Sequence, residues 1–209
     1  MGRLIGGPNG QIQGKVGNFI GSSRNGIPYV KGLYKKRTLK VTEKELANRK
    51  KFAAAQAWLA PILEFVRVGF RGNSQRSQGF VAAKSWLLKN AFVRDVEKLR
   101  VDPALVKVSS GDLPNPSDIS VSWTENRDLK FTWNTANDGS GFSDQIMMLA
   151  YDVEKPFARS NTTGQLRSTG QDILSMDTAY GKNFHVYAAF NAADRSRQSE
   201  SMYLGEWKL

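Results

Sequence analysis

Residues 119–123, ISVSW, and residues 129–133, LKFTW, alternate strictly between apolar and polar side chains. A period of two is typical of a β-strand with one face on a core and the other in solvent. The intervening residues Asn126-Arg127-Asp128 are typical of a turn. The two segments therefore predict a β-hairpin, and this hairpin decides the fold class of the C-terminal half.

Further short apolar segments continue at similar spacing to the end of the chain. They lie at residues 145–151, 157–161, 173–176, 184–190 and 201–205. Six or seven short strands separated by turn residues are typical of an antiparallel sandwich. We therefore expect residues 117–209 to form an immunoglobulin-like β-sandwich. Its core is expected to contain Trp123, Phe131, Trp133, Val186 and Tyr187.

Two amphipathic helices are predicted before this sandwich. Thr42-Glu43-Lys44-Glu45 fits a capping box with Thr42 as the N-cap, and apolar residues then recur at helical spacing as far as Val66. Pro61 lies within this apolar stripe and is expected to kink or divide the first helix. A second helix is expected over about residues 77–92.

The N-terminal 40 residues contain nine of the nineteen glycines. The residues between these glycines alternate between polar and apolar, and Asn25-Gly26 is a strong hairpin-turn signal because both residues tolerate positive φ. We predict a β-hairpin in which residues 13–23 pair with residues 27–35. Glycine weakens strands but lets another backbone approach closely, so contact with the chain's own sandwich or with another subunit is expected to complete this arm.

The predicted organisation is an α+β, mainly β chain in four parts. These are a basic, glycine-rich hairpin arm (1–40), a helical segment (41–108), a proline-containing linker (109–116) and the sandwich (117–209). The last part resembles fibronectin type III domains, with a tryptophan on its second strand and a tyrosine on its penultimate strand. That resemblance implies the fold and no activity.

Several short motifs distributed along the chain are typical of one protein family. They are Gly14-Lys15-Val16-Gly17-Asn18, Gly21-Ser22-Ser23, Gly26-Ile27, Tyr29-Val30-Lys31-Gly32, Phe65-Val66-Arg67-Val68-Gly69-Phe70, Gly111-Asp112-Leu113-Pro114 and Tyr203-Leu204-Gly205. By these motifs the whole chain resembles a family of bacterial proteins of unknown function and similar length, mostly from Bacteroidota. The resemblance implies no activity.

Charge is distributed unevenly along the chain, whose formal net charge is +11. Residues 1–100 hold twenty Lys and Arg and five Asp and Glu, whereas residues 101–209 hold ten and fourteen. The first 40 residues hold eight basic residues and no acidic one. This pattern suits a polyanion, an acidic protein surface or head-to-tail contact between copies. The alternative is a solvated basic surface with no specific partner.

The basic arm is the strongest candidate site in the sequence. Its cations are Lys15, Arg24, Lys31, Lys35, Lys36, Arg37 and Lys40, and its interleaved aromatic residues are Phe19, Tyr29 and Tyr34. Alternate residues of a hairpin share one face, so the cations can follow a phosphate backbone while the aromatic rings stack on bases. Docking of the arm on the acidic sandwich of a neighbour explains the same pattern, and both interpretations stay open.

The groups that common catalytic mechanisms require are missing from the sequence or have no evident catalytic partner in it. The absence of cysteine excludes disulfides, thiolate metal sites and cysteine nucleophiles. The single histidine, His185, lies in an apolar run and is expected to be structural, and Gly14-Lys15-Val16 lacks the hydroxyl of a Walker loop. Asp144, Asp152 and Glu154 are interpreted as ordinary surface charges. We therefore expect no enzymatic activity, no cofactor and no metal.

No stretch is long and apolar enough to predict a membrane span, and the N-terminus lacks the apolar core of a signal peptide. A cytoplasmic location, or a place in a virion or other assembly, is therefore expected. The expected function is a structural or adaptor subunit of a larger assembly, phage-derived or cell-surface, that associates with itself or with another protein. The alternative is a protein that binds nucleic acid or another polyanion.

Overall fold

The computed structural model describes residues 2–7, 10–24, 26–36, 38–72, 79–95, 98–135, 141–176 and 183–208. These residues form thirteen strands, three α-helices and three 3₁₀ turns, so the expected α+β, mainly β class is confirmed. The chain divides into two compact units, residues 1–45 and residues 46–209.

The first unit contains a four-stranded antiparallel sheet whose strands lie in sequence order. The strands are β1 (Arg3–Ile5), β2 (Gln11–Val16), β3 (Phe19–Arg24) and β4 (Ile27–Gly32). The predicted strand over 13–23 is thus two strands, because Gly17 takes a φ of +52° and turns the chain. Gly26, between β3 and β4, has a φ of +79°, while Asn25 lies outside the described residues.

The second unit begins with helices. They are α1 (Glu43–Leu59), which starts at the end of the first unit, α2 (Leu63–Gly69) and α3 (Gly79–Asn90). The backbone N–H of Glu45 donates to Thr42 Oγ1 at 3.3 Å, as expected of an N-cap. Pro61 lies in the 3₁₀ turn Ala60–Ile62 between α1 and α2, because proline lacks the N–H that a continuous helix needs.

The predicted helical segment 41–108 ends in strands. β5 (Phe92–Asp95) pairs with β6 (Lys98–Val101) in an antiparallel hairpin, and a 3₁₀ turn, Pro103–Leu105, follows. Asp102 caps this turn by accepting a hydrogen bond from the N–H of Ala104 at 3.0 Å. Valines such as Val93 and Val101 favour this strand pairing, because β-branched side chains lose rotamer freedom in a helix.

Two antiparallel sheets follow the helices. The first has the order β11-β8-β7, with β7 (Ser120–Trp123), β8 (Leu129–Thr132) and β11 (Gln171–Leu174). The second has the order β10-β9-β12-β13, with β9 (Gln145–Asp152), β10 (Phe157–Asn161), β12 (Asn183–Asn191) and β13 (Met202–Lys208). Every strand predicted after residue 117 is present; β10 has the predicted ends, and the other strands differ from the prediction at one end or both.

The four-stranded sheet of the second unit is buried on both faces. One face shares a hydrophobic cluster with the three-stranded sheet, through residues that include Phe131, Trp133, Ile146, Met148, Val186 and Phe190. The other face shares a cluster with the helices, through residues that include Trp58, Phe65, Leu87, Leu149, Tyr151 and Tyr187. Tyr187 therefore does not share a core with Val186, because consecutive strand residues point to opposite faces. Trp123 is partly buried against the first of these clusters.

The segment predicted as a linker, 109–116, lies within the second unit and does not separate compact units. Ser109 is fully buried, with its Oγ 3.0 Å from Gly69 O and 2.6 Å from Ser199 O. A Cβ atom would lie 2.4 Å from a backbone oxygen at Gly69 and 2.0 Å from one at Gly111. Both glycines are therefore needed where backbones approach closely, and the segment joins the helices to the sheets.

We expect Phe131→Ala to lower the free energy of unfolding by about 3–5 kcal/mol, because the fully buried ring leaves a cavity. The matched control is Ile173→Ala, whose side chain is 50% exposed and which is expected to cost less than about 1 kcal/mol. Urea unfolding measures both values. Equal losses in the two variants would contradict the assignment of this core.

Candidate functional site

Three of the predicted cations share one face of the N-terminal sheet. The register pairs Lys15 with Ile20 and Ile20 with Lys31, and residues directly opposite one another point to the same face. Arg24 and Tyr29 lie on this face too, because alternate residues of β3 and β4 share it. The predicted alternation thus places Lys15, Arg24, Lys31 and Tyr29 together, and we name them the basic face.

The opposite face of β3 and β4 carries no charged residue. With the β2 residues that pair with it, this face holds Val16, Phe19, Pro28 and Val30 with Gly14, Gly21, Gly32 and Ser23. Phe19 is therefore separated from the cations with which it was predicted to act. The side chains of Val16 and Val30 are 37% and 62% exposed. We name this the apolar face.

The remaining predicted residues of the arm follow β4. Lys35, Lys36 and Lys40 are exposed and lie outside helices and strands, and Tyr34 is 86% exposed. Arg37 lies outside the described residues. The candidate residues of the arm therefore divide into a basic face on the sheet and an irregular basic segment after it.

The second unit contains a cleft that the sequence did not predict as a site. Its floor is formed by Tyr151, His185, Tyr203 and Glu206, which come from the neighbouring strands β9, β12 and β13. His185 lies directly opposite both Tyr151 and Glu206 in the register, so these residues share the face that the helices cover elsewhere. The floor is the part of this face of the sheet that the helices leave uncovered.

Three segments form the walls of this cleft, which has a volume of about 670 Å³. Helix α1 contributes Ala54, Ala57 and Trp58, the end of the β5–β6 hairpin contributes Arg100, Val101, Asp102 and Pro103, and the β9–β10 turn contributes Val153, Glu154 and Pro156. Ligand pockets commonly measure about 300–1,000 Å³. The cleft is therefore large enough for a small ligand or for a few side chains of a partner.

His185 is held in place at the floor by Tyr203. The ring Nδ1 lies 2.9 Å from the Tyr203 hydroxyl, and the two rings are tilted by 32° with centroids 6.0 Å apart. Burial lowers the pKa of His185, although Glu206 and two aspartates favour its charged form. Burial also raises the pKa of Tyr203. Both groups are therefore neutral hydrogen-bonding groups at neutral pH.

Trp58 and Tyr151 form the most deeply buried part of the cleft. Their rings meet edge to face with centroids 5.0 Å apart, and Trp58 is only 6% exposed. Burial raises the pKa of Tyr151 to about 12. Within the described residues, the indole N–H of Trp58 has no hydrogen-bond acceptor, a situation that costs about 1–3 kcal/mol for a buried donor.

Two of the three acidic residues that were interpreted as surface charges are buried. Asp144 is 4% exposed and lies 3.7 Å from the Nε atom of buried Arg167, and burial raises its pKa against the opposing effect of that arginine. Asp152 is 2% exposed and accepts hydrogen bonds from the N–H groups of Glu154 and Lys155 at 2.9 and 3.1 Å. The expectation was wrong because each buried carboxylate has a partner that stabilises its charge. The partner of Asp144 is Arg167, which is distant in sequence, and the partners of Asp152 are backbone N–H groups of the turn that follows it. Glu154 itself is exposed.

Within the described residues no group of three or more acidic or histidine side chains is arranged to hold a metal ion. None of their helices is long and apolar enough to span a membrane. The cleft therefore offers hydrogen bonds from neutral His185 and Tyr203 and negative charge from its carboxylates, beside an aromatic wall. Such an arrangement can bind a polar or cationic group.

Comparison with known families matches residues 11–205 to a family of unknown function, DUF6266. The chain belongs to the DUF6266 family. This agrees with the expected membership of a family of unknown function, and the matched region includes β2, β3 and β4 of the N-terminal sheet and every cleft residue of this DUF6266 protein except Glu206. No curated protein and no solved structure shows significant similarity to it.

We expect the stability of this DUF6266 protein to fall as the pH drops below about 6.5, the pKa of an unfolded histidine. The lowered pKa of His185 means that the unfolded state binds the proton more readily, so acid favours unfolding until the folded ring is protonated too. His185 is the single histidine, so one ring signal in an NMR titration reports its pKa.

Thermal unfolding of wild type and His185→Gln at several pH values measures the linkage. The wild-type melting temperature should fall more steeply between about pH 7 and pH 5.5 than that of the variant. A ring that titrates at or above the unfolded value, with equal slopes in both proteins, would contradict the buried position of His185.

Proposed function

We propose that this protein is a non-enzymatic structural or adaptor subunit of a larger assembly, and that its N-terminal sheet is completed by contact with a partner. One observation carries the proposal. Among the described residues of the first unit, Gly21 alone is buried, and both hydrophobic clusters lie in the second unit. A sheet without a core of its own is marginally stable in water.

The glycine-rich composition of the arm lowers the expected stability of this sheet further. Glycines lose more conformational entropy on ordering than other residues and contribute no apolar side chain in return. The apolar residues that are present remain exposed, with exposed fractions of 56% for Leu4, 59% for Ile27 and 62% for Val30. Exposed apolar side chains grouped on one small sheet are typical of an interaction surface.

The edge strand β4 supports the same proposal. All six of its residues are exposed, and it lies at one end of the sheet order. An edge strand presents unpaired backbone groups to which another strand can add. Contact at this edge or on the apolar face would bury side chains that are now in solvent.

We further propose that the sheets of residues 117–208 form an immunoglobulin-like sandwich similar to fibronectin type III domains. The hydrophobic cluster shared between the two sheets supports this finer assignment. Phage-derived and cell-surface assemblies are the settings we propose for the protein, because both are built from repeated subunits with complementary surfaces. A Bacteroidota source would be consistent with either setting.

We expect the double variant Val16→Ser and Val30→Ser to abolish oligomers that the wild-type protein forms, because these changes remove exposed apolar surface from the apolar face. The matched control is Leu105→Ser with Ile173→Ser, which removes side chains that are 46% and 50% exposed in the second unit. Size-exclusion chromatography with light scattering measures the mass. A wild-type monomer at about 100 µM, a concentration that would populate even a weak complex, would contradict the proposal.

A second function, binding of nucleic acid or another polyanion, is favoured by the basic face. Lys15, Arg24 and Lys31 lie on one face of the same small sheet, with Tyr29 between them as a possible stacking ring. Cations on one face can contact successive phosphates, and binding of this kind releases counterions.

If a polyanion is the partner, Lys15→Gln, Arg24→Gln and Lys31→Gln together should reduce the slope of log affinity against log salt by about 2–3, because each lost phosphate contact removes about 0.7–0.9. The control, Lys50→Gln with Lys89→Gln and Lys208→Gln, makes the same charge change at exposed positions of the second unit. Fluorescence anisotropy with single-stranded DNA measures both slopes. Equal slopes, or no binding at low salt, would rule out this function for the basic face.

A further inference from the structure

The cleft of the second unit is rimmed by an excess of negative charge. Asp102, Glu154 and Glu206 contribute carboxylates, and Arg100 contributes a guanidinium group. Glu206 and Asp102 both favour the charged form of His185, so both carboxylates contribute negative electrostatic potential at the cleft floor. A molecule that enters this cleft is therefore expected to carry positive charge.

Trp58 is a second and independent feature that points to a bound partner. It lines the cleft, is only 6% exposed, and its indole N–H has no acceptor among the described residues. Buried donors are almost always paired in folded proteins. A peptide backbone supplies carbonyl acceptors, so an extended peptide with basic side chains fits the cleft better than a free cation does.

The chain itself contains a segment of this kind. Residues 33–36 follow β4 without forming a helix or strand, and Lys35 and Lys36 are exposed. The 86% exposure of Tyr34 is the largest among the exposed large apolar side chains of the described residues. Tyrosine is a favoured interface anchor, because its rigid ring gives much contact area for little lost conformational entropy.

We propose that the cleft of one copy binds Tyr34-Lys35-Lys36 of a second copy, an inference that rests on the proposed assembly function and names its partner. Charge favours a second copy, because residues 1–40 contain eight basic and no acidic residues whereas residues 101–209 have an acidic excess. The contact joins two different surfaces, so it is head to tail, and each added copy offers another cleft and another segment.

Two full-length double variants test the two sides of this contact. The cleft variant is Glu154→Gln with Glu206→Gln, and the segment variant is Lys35→Gln with Lys36→Gln; all four side chains are exposed. The charge-matched control for the cleft is Glu64→Gln with Glu125→Gln. Glu125 is exposed, and Glu64 makes only an exposed ion pair with Arg67, which contributes little to stability.

Sedimentation velocity over a dilution series measures association of each protein alone. We expect the wild type and the control to associate equally, and each test variant to associate at least about tenfold more weakly, because each loses two charge contacts at the junction. In the wild type, the ring signals of His185 should shift with dilution, because this single histidine lies at the cleft floor.

A mixture of the two variants distinguishes head-to-tail contact from other modes. The segment of the cleft variant and the cleft of the segment variant are both intact, so an equimolar mixture should form a two-copy complex and stop there. At the same total concentration, neither variant alone should reach that mass. A mixture that stays monomeric, or that grows beyond two copies, would overturn the inference.

The outcomes separate this inference from the proposed function. If the wild type associates and the cleft variant associates equally well, the arm contacts a different surface, and only the inference fails. If the wild type stays monomeric at about 100 µM, where even weak complexes are populated, both fail. Circular dichroism of each variant checks that lost association does not come from lost folding.

Discussion

The other layers of the second unit pack on both sides of the paired strands β9 and β12. These strands lie at the centre of the four-stranded sheet, and nearly all of their residues are buried because hydrophobic clusters cover both faces. One face holds the three-stranded sheet and the other holds the helices. Where the helical cover ends, the same register leaves Tyr151 beside His185, and this places the floor of the cleft on rigid strands.

The first unit, in contrast, contains neither of the two hydrophobic clusters. The strands of its sheet pair with their neighbours, but Gly21 is the one buried residue of these strands and has no side chain, and Gly14 and Gly32 also lie on the apolar face. The result is a thin sheet with a basic face and an apolar face, both open to contact. A surface of this kind gains stability when a partner covers it, and a basic arm on a chain with an acidic second half makes another copy a suitable partner.

The alternating segments were predictable from sequence, because burial alternates along β7 and β8, with one face of each strand less exposed than the other. The continuous apolar run of β9 predicted a strand, and such a run is typical of a strand buried on both faces, but nothing in the run indicates that the helices cover its second face. The cleft was missed for another reason, because its residues are distant in sequence and meet only in the folded chain. Sheet register brings His185 and Tyr203 together, whereas Trp58 lies on α1 and Asp102 follows β6. The basic face was predictable in part, because Gly17 breaks the strand and leaves Phe19 on the other side.

The central claim is that the N-terminal sheet depends on contact for its stability, whereas the β9–β12 pair does not. Amide hydrogen exchange of the full-length protein, followed by NMR at several protein concentrations, tests this most directly. The account predicts that amides of β2, β3 and β4 exchange rapidly in dilute protein and become protected as concentration rises, while β9 and β12 stay protected throughout. Protection of β3 and β4 that equals that of β9 and does not change on dilution would contradict it.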